Sequence, residues 1–360
     1  MDEARSALQD VRVRRDEEPS NVGGGPCTVF DPPGDGPVLL PPPTAPAGVE
    51  EGPPRPARCP DPTARGPAGG TAGHLCVSGG EAAVGPGSAG VLRHVLPAPC
   101  GEGGEAVCTW PGSGACPLVV AVPAATSAHA PPTVSGGHGP DGIRTRVSVR
   151  AGAVVPCSPH HPTGAVADHG ESRGSPRPLP GRVVTVLGEA HVESDRRGDP
   201  PGMPEAPHGH GGTVVLRTFS EAYEPAGPRV GRAAGPRRIA ATARGTAMAS
   251  GVTRFAERAA VLSSRDEGEL RTHPTAAAAA REELTAGLGE PGSPGPPSRA
   301  DFVRPPLVSA AGSFARAAVT AGHGVRGRPG RGVRISAGGA EAHRMLPAAP
   351  GRRTSEVGIL

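Results

Sequence analysis

Lysine is absent from this 360-residue chain, and all 37 basic residues are arginine. Asparagine, tyrosine and tryptophan occur once each, isoleucine four times and phenylalanine five times. Valine, leucine, isoleucine and phenylalanine together make 61 residues, about 17%, below the roughly 20% at which ordinary cores begin. Burial returns only about 25 cal/mol per Å2, against about 1 to 2 kcal/mol for ordering each residue of backbone. A chain so short of large apolar side chains is expected to leave most of its length unfolded. The missing lysine also removes the flexible point charge that phosphate- and membrane-binding surfaces usually mix with arginine.

Other absences narrow the class further. The net charge is only +3, so collapse without a unique fold is expected rather than full expansion. The longest apolar run, Pro117 to Val122, is far short of a membrane span. Seven cysteines at 27, 59, 76, 100, 108, 116 and 157 form no pair of C-x-x-C spacing, which excludes a disulfide framework or zinc knuckle. The opening stretch is too charged for a signal peptide, so a cytoplasmic location is the default expectation.

What the chain does contain is 56 glycines and 47 prolines. The fold class expected from them is mostly disordered, irregular coil of low complexity, rich in Pro, Gly, Ala and Arg, with a few short, weakly packed helices. Residues 1–18 read as a short charged helix, 19–238 as Pro/Gly-rich coil, 239–288 as weak Ala-rich helices and 289–360 as Pro/Gly/Arg-rich coil. Within the coil, 118–122, 182–187 and 213–219 are β-branched runs that look like isolated strands. In the helical region Phe255, Ala259 and Leu262 share one face, Thr275 is placed to cap a second helix, and Phe314 to Val319 suggests a third.

The motifs lack the context their chemistry needs. "GPGSAG" at Gly85–Gly90 and "GHGVRG" at Gly322–Gly327 match G-x-G-x-x-G, but neither shows the strand before and helix after that a dinucleotide site requires. "GESRG" at Gly170–Gly174 has no strand to deliver Ser172 as a nucleophile. Cys157, His160 and His161, with His208 and His210, make at most half a metal site. No catalytic residue, cofactor or metal set follows, and the chain is read as not an enzyme. "VRGRPGRGVR" at 325–334 is the best functional candidate. Its Arg326-Gly327-Arg328-Pro329 resembles the AT-hook, which implies that Arg326, Arg328, Arg331 and Arg334 contact A·T-rich DNA or another polyanion. It departs from that family at Gly330, where a basic residue usually follows, and in having a single copy.

"DGIRTR" at Asp141–Arg146 carries one of the four isoleucines. Gly142 to Thr145 can be encoded as GGG ATT CGA ACC, the complement of a transfer RNA T-arm, whose stem pairing then requires an arginine codon where Arg146 stands. Leucine, which has G+C-rich codons, occurs only 17 times. The expectation is therefore a spurious translation of a G+C-rich frame antisense to a transfer RNA gene, without evolved function. The alternative is a disordered Arg-rich nucleic-acid accessory protein.

Overall fold

The computed structural model describes residues 57–133, 136–166, 179–195, 212–221, 227–265, 267–288, 298–305, 307, 311–320, 325–328, 332–338 and 346. Within them the chain alternates strands and helices: α1 (Arg65–His74), β1 (Ala82–Gly85), α2 (Gly87–Val95), β2 (Glu105–Thr109), α3 (Ala115–Val120), β3 (Thr126–Ala130), α4 (Pro140–Arg144), β4 (Ala151–Val155), β5 (Val184–Gly188), β6 (Thr213–Thr218) and β7 (Gly231–Ala234). There follow α5 (Arg237–Thr246), α6 (Arg254–Ser263), α7 (Glu267–Gly287), β8 (Phe302–Val303), α8 (Ala311–Thr320), β9 (Val325–Arg328) and β10 (Gly332–Ser336).

The first seven strands form one sheet in the order β1-β7-β6-β5-β4-β2-β3. Pairings from β3 through β6 are parallel, and β7 runs antiparallel to both neighbours. With β7 reversed, β1 points the same way as β6, so six strands end at one edge. One face is covered by α2, α3 and α5 through Val91, Val95, Leu96, Val120 and Ile239. The other packs on α1 and α6 around Phe219, Val230 and Ala260, and on Ile143 of α4. A second sheet, β8-β10-β9, is backed by α8 through Phe314 and Ala318.

This α/β architecture overturns the expectation of a mostly disordered chain. The physical reason lies in the core composition: alanine and valine supply most of the buried apolar residues, including Ala82, Ala83, Ala106, Ala151, Ala153, Ala233 and Ala234 in the sheet. Counting only large aliphatics misses alanine, whose small volume lets layers approach closely and pack at native density. Proline and glycine mark element ends, as Pro86 does between β1 and α2.

Several local expectations change as well. The run 118–122 overlaps helix α3, which turns Cys116 and Val120, four apart, inward. Helix α6 buries Ala256, Ala259, Ala260 and Ser263, while Phe255 is 46% exposed. Thr275 lies inside α7, beside an internal Pro274, rather than at a cap. Strand β6 falls within the run at 213–219, and β5 overlaps the run at 182–187 and ends one residue beyond it. Asp141 and Arg144 of "DGIRTR" form an ion pair of 2.9 Å in α4, and the helix at 2–18 lies outside the described residues. No described helix is long and apolar enough to cross a membrane.

Candidate active site

In open α/β sheets ligands bind outside the carboxyl ends of the strands. Here that edge gathers Gly85 and Gly87, Thr109 and Trp110, Gly188 to His191, and Thr218 to Glu221, with Arg229 just ahead of β7. Trp110 stacks on His129 with ring centroids 5.2 Å apart.

The start of α2 forms an anion cup. Its N-cap is Pro86, which offers no side-chain cap to the first turn, so first-turn N–H groups and the positive end of the helix dipole can face an anion. Gly87 has φ +72°, and a Cβ there would lie 2.7 Å from Arg229 Nη2. Arg229 itself holds φ 61°, a left-handed conformation unusual for a residue with a side chain. Its Nη1 donates to Ser220 Oγ at 3.0 Å, and the Ser220 N–H donates to Thr218 Oγ1 at 3.1 Å. Guanidinium, hydroxyl and helix N-terminus thus converge at the ends of β1, β6 and β7.

The cup depends on backbone meeting backbone. A Cβ at Gly231 would stand 2.3 Å from the carbonyl carbon of Gly87 and 2.4 Å from Ser88 N. Gly231→Ala is therefore expected to push β7 off the helix, costing about 1 to 3 kcal/mol and weakening phosphate binding. Gly181→Ala, which meets open space, is the control. Equal melting temperatures and phosphate affinities for the two variants would refute this.

Beside the cup lies a buried cluster. His191 Nδ1 is 2.7 Å from Asp301 Oδ1 and 3.9 Å from Glu221 Oε2. Burial and the adjacent Asp301 push the Glu221 carboxyl well above the usual range. Despite its own burial, Asp301 is held below that range, chiefly by His191. Arg334 reaches the cluster from β10: its Nη1 donates to His161 Nε2 at 3.0 Å, and its guanidinium sits 4.3 Å above the Phe302 ring. His161 and His191 stack at 6.3 Å, both edge-on to Phe302. The three ligand atoms of His191, Glu221 and Asp301 lie within 4.8 Å of one another. Arg229 and Arg334 both act on Glu221, so the surroundings favour a ligand carrying anionic groups of its own over a bare cation.

Behind this edge, charges alternate. Arg217 on β6 and Arg232 on β7 are register partners. Glu193 Oε1 lies between them, 3.4 Å from Arg217 and 3.5 Å from Arg232, while Glu189 takes Arg217 Nε at 2.9 Å. Burial raises Glu189 to about 7. Two buried histidines support the β2 and β4 ends: His138 Nε2 accepts from Cys157 N–H at 2.7 Å while its Nδ1 faces Thr109 Oγ1, and His160 Nδ1 contacts Gly136 O and Thr163 Oγ1. Burial holds them down to about 3 and about 4 respectively.

The profile of the family described as Aminotransferase class I and II matches residues 141–349. This chain belongs to the class I and II aminotransferases. It is 36% identical over 267 residues to the aromatic amino acid aminotransferase of Streptomyces avermitilis, spanning 72% of this chain and 73% of that protein. The Streptomyces coelicolor protein of the same name is 34% identical over 261 residues, 72% of this chain and 73% of its own. In fold it is similar to the histidinol-phosphate aminotransferase of Sinorhizobium meliloti, solved with pyridoxal-5'-phosphate, with TM-score 0.76, 23% identity and coverage of 86% of this chain and 87% of that one.

Membership in the aminotransferase family corrects three expectations: that the chain is a spurious translation antisense to a transfer RNA gene, that it is a disordered accessory protein, and that it is not an enzyme. A frame without selection would not hold family similarity across "DGIRTR" and through residue 349. The motif at Gly85–Gly90 does have a strand before it and a helix after it. Of the arginines read as DNA contacts, Arg326 and Arg328 lie on β9, Arg331 lies outside the described residues, and Arg334 is buried on β10 at the site. His160 and His161 reach the site edge, whereas His208, His210 and Ser172 lie outside the described residues. Ser220, Glu221 and Arg229 went unnoticed, although a Ser-Glu pair directly ending a β-branched run was a usable signal.

Proposed function

We propose that this aminotransferase-family chain binds a phosphorylated pyridine compound of the pyridoxal class and a carboxylate-bearing amino or oxo acid at its strand ends, for amino-group transfer on aromatic substrates. The observation that carries the reading is a pair of separate guanidinium anchors, Arg229 and Arg334, bracketing the buried Glu221–Asp301–His191 cluster. Arg229, Ser220 and the α2 N-terminus suit a phosphate. Arg334, planar and held by Phe302 and His161, suits a carboxylate. The names of the aromatic amino acid relatives support the substrate class.

The fit to a pyridoxal cofactor is divided. Its phosphate has a built receptor. Its aldehyde is ordinarily held by a lysine Schiff base, and no lysine exists among the 360 residues. No catalytic step is therefore routed through the cofactor.

Calorimetric titration tests the two anchors. A charge-assisted hydrogen bond contributes about 1.5 to 3 kcal/mol, so Arg229→Ala should weaken pyridoxamine 5'-phosphate and inorganic phosphate by about 10- to 100-fold and spare phenylpyruvate. Arg334→Ala should do the reverse. Binding of all three ligands unchanged in both variants would defeat the reading.

A further inference from the structure

We infer that this site holds its pyridine cofactor without a covalent bond and takes the amine form, pyridoxamine 5'-phosphate, in preference to the aldehyde form, pyridoxal 5'-phosphate. The inference rests on the proposed cofactor site and deepens it.

Two observations meet here. The chain lacks lysine throughout, so no side-chain ε-amine can condense with an aldehyde anywhere in it. At the position next to Ser220 of the phosphate cup stands Glu221, facing Asp301 and His191. An aldehyde oxygen is only an acceptor. It can take at most the one proton that Glu221, raised by burial and by Asp301, keeps beside its neighbour, and it brings no charge to offset the ionised Asp301. An ammonium offers three donors and a positive charge, and two buried carboxyl groups whose facing atoms, with His191 Nδ1, lie within 4.8 Å of one another are the complementary receptor, since the cation lets both ionise together. Burial strengthens that attraction relative to water. Arg229, beside Ser220, and Arg334, beside His161 and Phe302, keep their charge, and each is offset when it meets an anionic end of the same bound molecule.

The experiment compares the two vitamers on the full chain by equilibrium dialysis and by intact mass after borohydride treatment. Borohydride delivers hydride to a C=N bond, which forms with loss of water, and so fixes any Schiff base as a stable secondary amine. The expected result is tighter binding of pyridoxamine 5'-phosphate by about tenfold or more, with peptide mapping finding no pyridoxal adduct on any side chain of the native chain. Glu221→Gln should bring the two affinities toward equality, and Arg229→Ala should weaken both alike. Glu221→Lys should gain a borohydride-fixed pyridoxal adduct at residue 221. Circular dichroism and melting confirm that each variant is folded. If the lysine variant is not folded, the native comparison and Glu221→Gln decide. A side-chain adduct on the native chain, or pyridoxal 5'-phosphate bound as tightly as the amine, overturns the inference and leaves the function reading standing. Binding of neither vitamer overturns both.

Discussion

Glu193→Ala is expected to lower the unfolding free energy by about 3 to 5 kcal/mol, the cost of stripping one partner from a buried charge group. Arg217 and Arg232 are register partners on adjacent strands, and like charges directly opposite destabilise a sheet. Glu193 Oε1, within 3.5 Å of both, makes their proximity tolerable. Arg232 is fully buried, with Phe219 4.8 Å beneath its guanidinium, so it cannot swing out to water. Arg232→Met removes the second charge and keeps most of the stem's packing. Combined with Glu193→Ala it should therefore cost clearly less than the two single effects added, a coupling that urea denaturation of the double-mutant cycle would reveal. Additive losses, or a Glu193→Ala loss under about 1 kcal/mol, would show that the shared carboxylate does not hold the arginines together.

The second large effect is hidden in the native chain. His138 and His160 are held at about 3 and about 4, below the ordinary 6.5, so the stability they contribute is present above pH 6.5 and lost as pH falls toward their folded values. Between pH 7 and 5 that loss is about 2 kcal/mol each, about 4 together. Glu189 works in the opposite sense. Its folded value of about 7 means that its contribution is lost as pH rises through 7 and regained on acidification, returning about 2 kcal/mol over the same window. Glu221, also raised, acts in the same direction. Native stability should thus fall less from pH 7 to 5 than the two histidines alone dictate. The Glu189→Gln, Glu221→Gln double variant should lose about 4 kcal/mol over that range, becoming more acid-sensitive although two acids have been removed. A double variant with the native pH slope would contradict the assignment of the two acids, and one whose stability holds from pH 7 to 5 would contradict that of the histidines.

How much of this was readable from residues alone differs from element to element. Strands β5 and β6 carry β-branched runs and fall where such runs lie. Strand β1 reads AAVG and is buried at every position, which local propensity cannot anticipate because its partner β7 is about 150 residues away in sequence. Its obscurity hid the strand–loop–helix context of Gly85–Gly90, and with it the anion cup. Helix α3 shows the opposite error: Leu118 to Val120 favour a strand locally, and packing of Cys116 and Val120 decides for a helix. Arg334 was singled out for its basic neighbours, and matters instead because β10 carries it under Phe302 and His161. The missing lysine was plain from the start, but its meaning required the site.

The alanine-built core has a consequence for mutational tolerance. Positions such as Ala82, Ala106, Ala153 and Ala234, all essentially buried, have almost nothing to lose, since glycine is the only smaller residue. Every other single-base change of an alanine codon adds atoms, at about 1 to 3 kcal/mol for each overpacked site. An alanine scan would find this core silent, while a valine or threonine scan would find it crowded. Damage to such a protein accumulates by addition rather than by deletion.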